Sequence, residues 1–108
     1  MQLDAEGTTV KGWGNAKLIG DRLHDCHANA DGSLWLVPAA TGHIQLWSAN
    51  QELLMQIGED SVFDSSDKSR NGQPRNSDSA QFFLPASVDV DESTGEIFVA
   101  DGELPGGN

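Results

Sequence analysis

The sequence predicts an all-β fold assembled from repeated hairpins, and three observations carry that prediction. Short blocks of β-forming residues, some alternating with polar ones, run through the chain, and no stretch shows the helical period. Each block is bounded by Asp, Asn, Ser, Pro or Gly, the residues that turn a chain. The chain also repeats itself. Leu84 to Gly102, LPASVDVDESTGEIFVADG, reads as strand, polar turn, buried strand, turn, and the stretch from His24 to Pro38 follows the same order.

Taken in order, Met1-Gln2-Leu3 and Thr8 to Gly14 read as two strands around the turn Asp4 to Gly7, the second ending in the pair Trp13-Gly14. Asn15 to Leu23 reads as a loop holding one apolar pair, Leu18-Ile19. A complete four-stranded unit follows over 24–58. Its strands fall at Ala28 and its neighbours, at Leu34–Val37, at Ile44–Trp47 and at Leu53–Gln56, and it ends at Ile57-Gly58. Gly14 and Gly58 are 44 residues apart, near the roughly 40–45 of a four-stranded propeller blade. Residues 59–81 break that period. They are polar throughout and hold almost nothing to bury, so they read as an insertion loop, 19 residues over the earlier spacing. Phe82-Phe83-Leu84-Pro85 re-enters the core, and 82–108 supplies the first half of another unit through Val88–Val90 and Ile97–Ala100. The expected core is Leu34, Leu36, Ile44, Leu46, Leu54, Val88, Val90, Ile97 and Val99, with Trp13, Trp35 and Trp47 packing between units.

Composition removes several classes of function. The 108 residues carry a net charge of -11 and a sequence pI of about 4.3. That balance argues against nucleic acid and against anionic membrane surfaces. No apolar run approaches the ~20 residues of a membrane span, so no membrane insertion is expected. Cys26 stands alone, which excludes an intrachain disulfide and leaves the redox compartment open. The opening MQLDAEG has neither a basic nor an apolar leader segment, so no signal peptide is read here, and a secreted or periplasmic location stays among the options. No Gly-x-Ser-x-Gly elbow, phosphate loop or Cys-x-x-Cys is present. His24 and His27 lie three apart, and on a regular strand such residues face opposite sides. His43 sits on the third strand of its unit and reads as structural. The run Asp89 to Glu96 is calcium-loop-like in its carboxylates but lacks the bidentate Glu that closes such a loop, so it reads as a solvated hairpin turn.

With those residues in place, the chain resembles the NHL repeat. F-F-L-P-A-S-V-D-V-D-x-x-x-G-E-I-F-V-A-D-G carries the resemblance, and Gly14 and Gly58 stand where its blades end. The resemblance implies a segment of a six-bladed β-propeller with blades of four antiparallel strands, truncated at both ends. Residues 1–14 would end one blade, 24–58 form the next, and 82–108 begin a third. It implies a binding or interaction scaffold whose partner is a protein or small-molecule ligand, with loops such as Ser61–Gln81 presented to it.

A further similarity, to the peptidyl-hydroxyglycine amidating lyases, implies the alternative of a metal-dependent lyase. There, histidines at the start of the innermost strands hold a channel zinc, and an Asp after one of them holds calcium. The resemblance assigns those roles to His24 (zinc) and Asp25 (calcium), while Ala86 occupies the position equivalent to His24 in the next unit. The lyase Tyr follows an Asp-Gly pair. Here Asp101-Gly102 is followed by Glu103, and the chain holds no Tyr at all, so no catalytic residue is assigned and the scaffold reading leads.

Overall fold

The computed structural model describes residues 1–12, 14, 16–20, 22–73 and 79–102. Trp13, residues 74–78 of the insertion, and Glu103 with the rest of 103–108 lie outside the described residues, and so do the readings placed on them. The fold is all-β apart from one helical turn. In chain order the elements are β1 (Gln2–Leu3), β2 (Thr9–Lys11), α1 (Ala16–Ile19), β3 (Leu23–Ala28), β4 (Leu34–Pro38), β5 (Ile44–Trp47), β6 (Leu53–Ile57), β7 (Pro85–Asp91) and β8 (Glu96–Asp101). They form three antiparallel sheets. β1 pairs β2, β3-β4-β5-β6 make a four-stranded meander, and β7 pairs β8. No described helix is long and apolar enough to cross a membrane.

The turns follow from their sequences. Between β3 and β4, Asp31 Oδ1 accepts the Ser33 amide at 2.8 Å and the Ser33 hydroxyl at 2.6 Å. Between β7 and β8, Asp91 Oδ1 accepts the Ser93 amide at 2.9 Å and its hydroxyl at 2.6 Å. Both are side-chain turns in which a short carboxylate satisfies a backbone donor two residues on. Each hairpin then needs a residue at positive φ, supplied by Gly32 (85°) and Gly95 (78°).

Two cores lie on opposite faces of the four-stranded sheet. On one face Trp35, Val37 and Ile44 pack with Val88 of β7, and Leu46, Ile57, Phe82, Val90, Ile97 and Val99 close around them. On the other, Leu36 and Trp47 pack with Ile19 of α1, with Leu34 beside them. Burying each such side chain contributes on the order of 1.5–3 kcal/mol. β4 therefore feeds both cores through the strict alternation of a strand. Gln45 is 1% exposed and is accepted into this interior because its amide is fully used. Nε2 donates to Leu18 O at 2.8 Å and to Gln56 Oε1 at 2.9 Å, and Oε1 accepts the Trp47 indole N–H at 3.0 Å.

Four features differ from the sequence reading. Ala16–Ile19 is a turn of helix rather than plain loop, because Ile19 is drawn down onto Leu36 and Trp47. Leu54 is 56% exposed, since β6 has all but its last residue open to solvent. Leu34 and Leu36 belong to a different core from Ile44 and Leu46, because both faces of the sheet are covered. The insertion does bury something: Phe63 packs edge-on against Phe83, ring centroids 6.4 Å apart, with Leu84 completing the cluster.

Candidate functional site

The side chains singled out in the sequence converge on the seam where β3 and β4 lie against β7. The seam is shaped by two bulges. In β3 the pairing steps from Leu23↔Pro38 to Asp25↔Val37, so His24 is the extra residue. In β7 it steps from Pro85↔Asp101 to Ser87↔Ala100, so Ala86 is the extra residue. The two bulged residues are 62 positions apart and fall at the same point of their strands. A bulge bends its strand and re-aims the side chain at that position.

The consequence is visible in the contacts. His24 Nδ1 lies 2.8 Å from Ala86 O. Asp25 Oδ2 accepts the Val88 amide at 3.1 Å. His27 Nδ1 lies 3.1 Å from Asp89 Oδ1. All three residues thus reach β7, including His24 and His27, which a regular strand would turn to opposite sides. The bulge at His24 breaks the alternation on which that expectation rested. One turn further on, both oxygens of Glu92 accept the Ala30 amide, at 2.9 and 3.0 Å. The acidic side chains of this seam act as backbone acceptors that join two sheets.

A backbone carbonyl can only accept, so in the His24 contact Nδ1 carries the proton and donates to Ala86 O. Near the start of β7 a shallow pocket of about 380 Å³ opens, lined among the described residues by Ala86, Val99, Ala100, Asp101 and Gly102. Asp101 is held in place there. Its two oxygens accept the amides of Phe83 and Leu84, each at 2.7 Å, and the Gly102 amide returns to Leu84 O at 3.0 Å.

A zinc site needs three or four converging ligands. Among the described residues no group of three or more His, Cys, Asp or Glu side chains is placed to hold a metal ion. His24 is a single imidazole with Nδ1 directed at Ala86 O, and one carboxylate oxygen of Asp25 is spent on Val88. Those residues of this chain do not by themselves make the site for either cation. Cys26 is exposed on β3. Trp35 and Trp47, expected between repeats, are 4% and 3% exposed and sit in the two different cores.

Sequence reasoning missed the tie between the insertion and β5. Gln81 Nε2 donates to Gly42 O and to Val62 O, each at 2.6 Å, and Gln81 Oε1 accepts the Glu59 amide at 2.9 Å. One amide side chain thus closes the insertion at both ends onto the start of β5. Gly42 permits this approach: its φ is 74°, and a Cβ there would land on the Val62 carbonyl. Beneath the junction lies His43, 2% exposed. Comparison of the chain with family models, with curated proteins and with solved structures finds no match.

Proposed function

We propose that this chain is a segment of a six-bladed, NHL-type β-propeller that serves as a binding or interaction scaffold. The observation that carries the reading is the repeated bulge. Two successive sheets kink at equivalent residues, His24 and Ala86, and the first strands of both meet along one seam. The hydrogen bond Ala39 N to Arg22 O in one unit is matched by Gly102 N to Leu84 O in the other. Repetition of whole sheets with packing only between neighbours is the logic of radial repeat folds. Exposed apolar side chains at Leu3, Val10, Leu54 and Phe98 supply the flanks against which further blades would pack. The insertion supplies the ligand-facing part, anchored by Gln81 and by the pair Phe63 and Phe83. Class averages from electron microscopy of the ring-bearing protein should show six equal lobes around a channel. Any other number of lobes, or an open array, would sink the propeller reading.

A second reading, the metal-dependent lyase, has one observation in its favour. His24 donates Nδ1–H to a backbone carbonyl, the kind of outer-shell contact that orients a metal-ligating imidazole. In a complete ring, His24 would contribute one ligand, and the metal would act as a Lewis acid. Metal analysis of the ring-bearing protein separates the two readings. Zinc bound stoichiometrically and lost in His24→Ala, with His27→Ala and His43→Ala unaffected, supports the lyase. A metal-free parent, or equal metal in all three variants, leaves the scaffold.

A further inference from the structure

We propose that His43 makes the anchorage of the insertion acid-sensitive, so that its segments 59–73 and 79–81 are held at neutral pH and loosened as the pH falls. The geometry is unusual for an imidazole. His43 is 2% exposed, and neither ring nitrogen has a hydrogen-bond partner among the described residues. A buried neutral imidazole leaves one N–H and one lone pair unpaired, whereas a buried imidazolium adds a charge and needs acceptors for two N–H groups. The one charged group acting on the ring among the described residues is Asp60, on the insertion, with Oδ1 3.7 Å from Nδ1 and its side chain 68% exposed. The Thr41 backbone favours the protonated ring without meeting hydrogen-bond geometry to either nitrogen, and Gly58 packs against the His43 Cα and Cβ. No ionisable side chain of α1, β4 or β6 acts on the ring among the described residues.

The same few residues hold the insertion. The Ser61 amide donates to Thr41 O at 2.9 Å, and the Asp64 amide donates to Phe82 O at 2.9 Å. Gln81 bridges Gly42 and Val62 directly above. A proton arriving at His43 therefore has to be accommodated inside this junction or by opening it. Burial lowers the affinity of the ring for that proton, and the Asp60 carboxylate with the Thr41 backbone restores only part of it. The sign follows. Because the closed form binds the proton less readily than the open form, its stability is complete above the ordinary value near 6.5 and is lost as pH falls towards the lowered value.

The test is amide hydrogen exchange by NMR on the whole chain at pH 7 and pH 5, corrected for intrinsic exchange. If the open form titrates normally while the closed form stays neutral, opening increases by up to about 25-fold between these pH values. The acceleration should appear at Ser61 and Asp64, with the amides that pair β7 with β8 unchanged. His43→Leu should abolish it. Asp60→Asn, which removes the compensating charge and leaves the packing alone, should enlarge it, and this variant keeps the idea testable if His43→Leu does not fold. A uniform response across the chain, no response at the junction, persistence in His43→Leu, or an unchanged response in Asp60→Asn would each overturn the proposal.

Discussion

Replacing Gln81 by Ala should detach the insertion from the sheet, and the cost can be worked from the contacts. Gln81 makes three short hydrogen bonds: Nε2 to Gly42 O and Val62 O at 2.6 Å each, and Glu59 N to Oε1 at 2.9 Å. A fourth contact, Nε2 to Glu59 O at 3.4 Å, is at the edge of useful geometry and is left out. Three bonds at a net ~1 kcal/mol each set a ceiling near 3 kcal/mol. The ceiling is not reached in full, because not all three freed partners stay unpaired. The Glu59 amide, on an exposed residue, regains water. A loss of about 2 kcal/mol follows. With a urea slope of ~1.5 kcal/mol/M, the unfolding midpoint should fall by about 1.3 M. Tryptophan fluorescence reports it, since Trp35 and Trp47 are buried in the sheet to which the insertion is tied. Gln73→Ala, at an exposed position of the same insertion, is the control and should shift the midpoint by less than ~0.3 M. Gln81→Glu keeps the length but points a carboxylate at Gly42 O and Val62 O, and should cost at least as much as the Ala variant. If Gln81→Ala behaves like Gln73→Ala, the bridge contributes nothing and the reasoning fails.

Two shorter predictions concern packing and charge. Ile44→Ala should cost about 3 kcal/mol in a urea melt, because Ile44 is fully buried in the larger core, whereas Leu54→Ser on open β6 should stay within about 0.5 kcal/mol. The Asp91 carboxyl is held below its ordinary value near 3.8 by the Ser93 hydroxyl first and the Ser93 amide second. Its contribution is therefore present above about pH 4 and is lost as pH falls through the lowered value, and a carboxyl NMR titration of Ser93→Ala should move the Asp91 midpoint back towards 3.8.

How legible this fold was depended on whether a residue's environment is local. Hairpins were readable because their cause lies within five residues: Asp31-Gly32-Ser33 and Asp91 to Gly95 carry the carboxylate acceptor and the positive-φ glycine in the sequence itself. The order of strands was readable because alternation and turn residues mark it. Burial was harder. Leu54 has the same local pattern as Leu46, and only the absence of a described neighbour over β6 makes it exposed. Val37 was missed as core because Leu34 and Leu36 claimed the inward face, and a strand packed on both sides has no outward face. The bulge at His24 has no glycine or proline to announce it, so the rule that residues three apart diverge failed there. Gln81 was invisible for a related reason. It lies 39 residues from Gly42, in a polar run whose composition suggests solvent rather than structure.

Asp25 is where the scaffold and lyase readings can be separated in the ring-bearing protein. Its carboxylate accepts the amide of Val88, a residue that is 6% exposed, from across the seam. If that acceptance is its role, the negative charge is incidental and a neutral oxygen at the same place suffices. Asp25→Asn should then keep the seam, with a loss below about 1 kcal/mol. Asp25→Ala leaves the Val88 N–H without its partner and should lose about 1–3 kcal/mol. If Asp25 instead serves a hard cation, the charge itself matters, because such ions select anionic oxygen ligands. Asn and Ala would then lose the cation-dependent part of the stability alike, and only the parent would be stabilised by added calcium. The measurement is a set of urea melts of parent, Asp25→Asn and Asp25→Ala, each with calcium and with chelator. Rescue by Asn, with no calcium response in any of the three, identifies Asp25 as a clasp between two sheets. A calcium-dependent parent that neither variant reproduces would refute the clasp and turn the seam into half of an ion site.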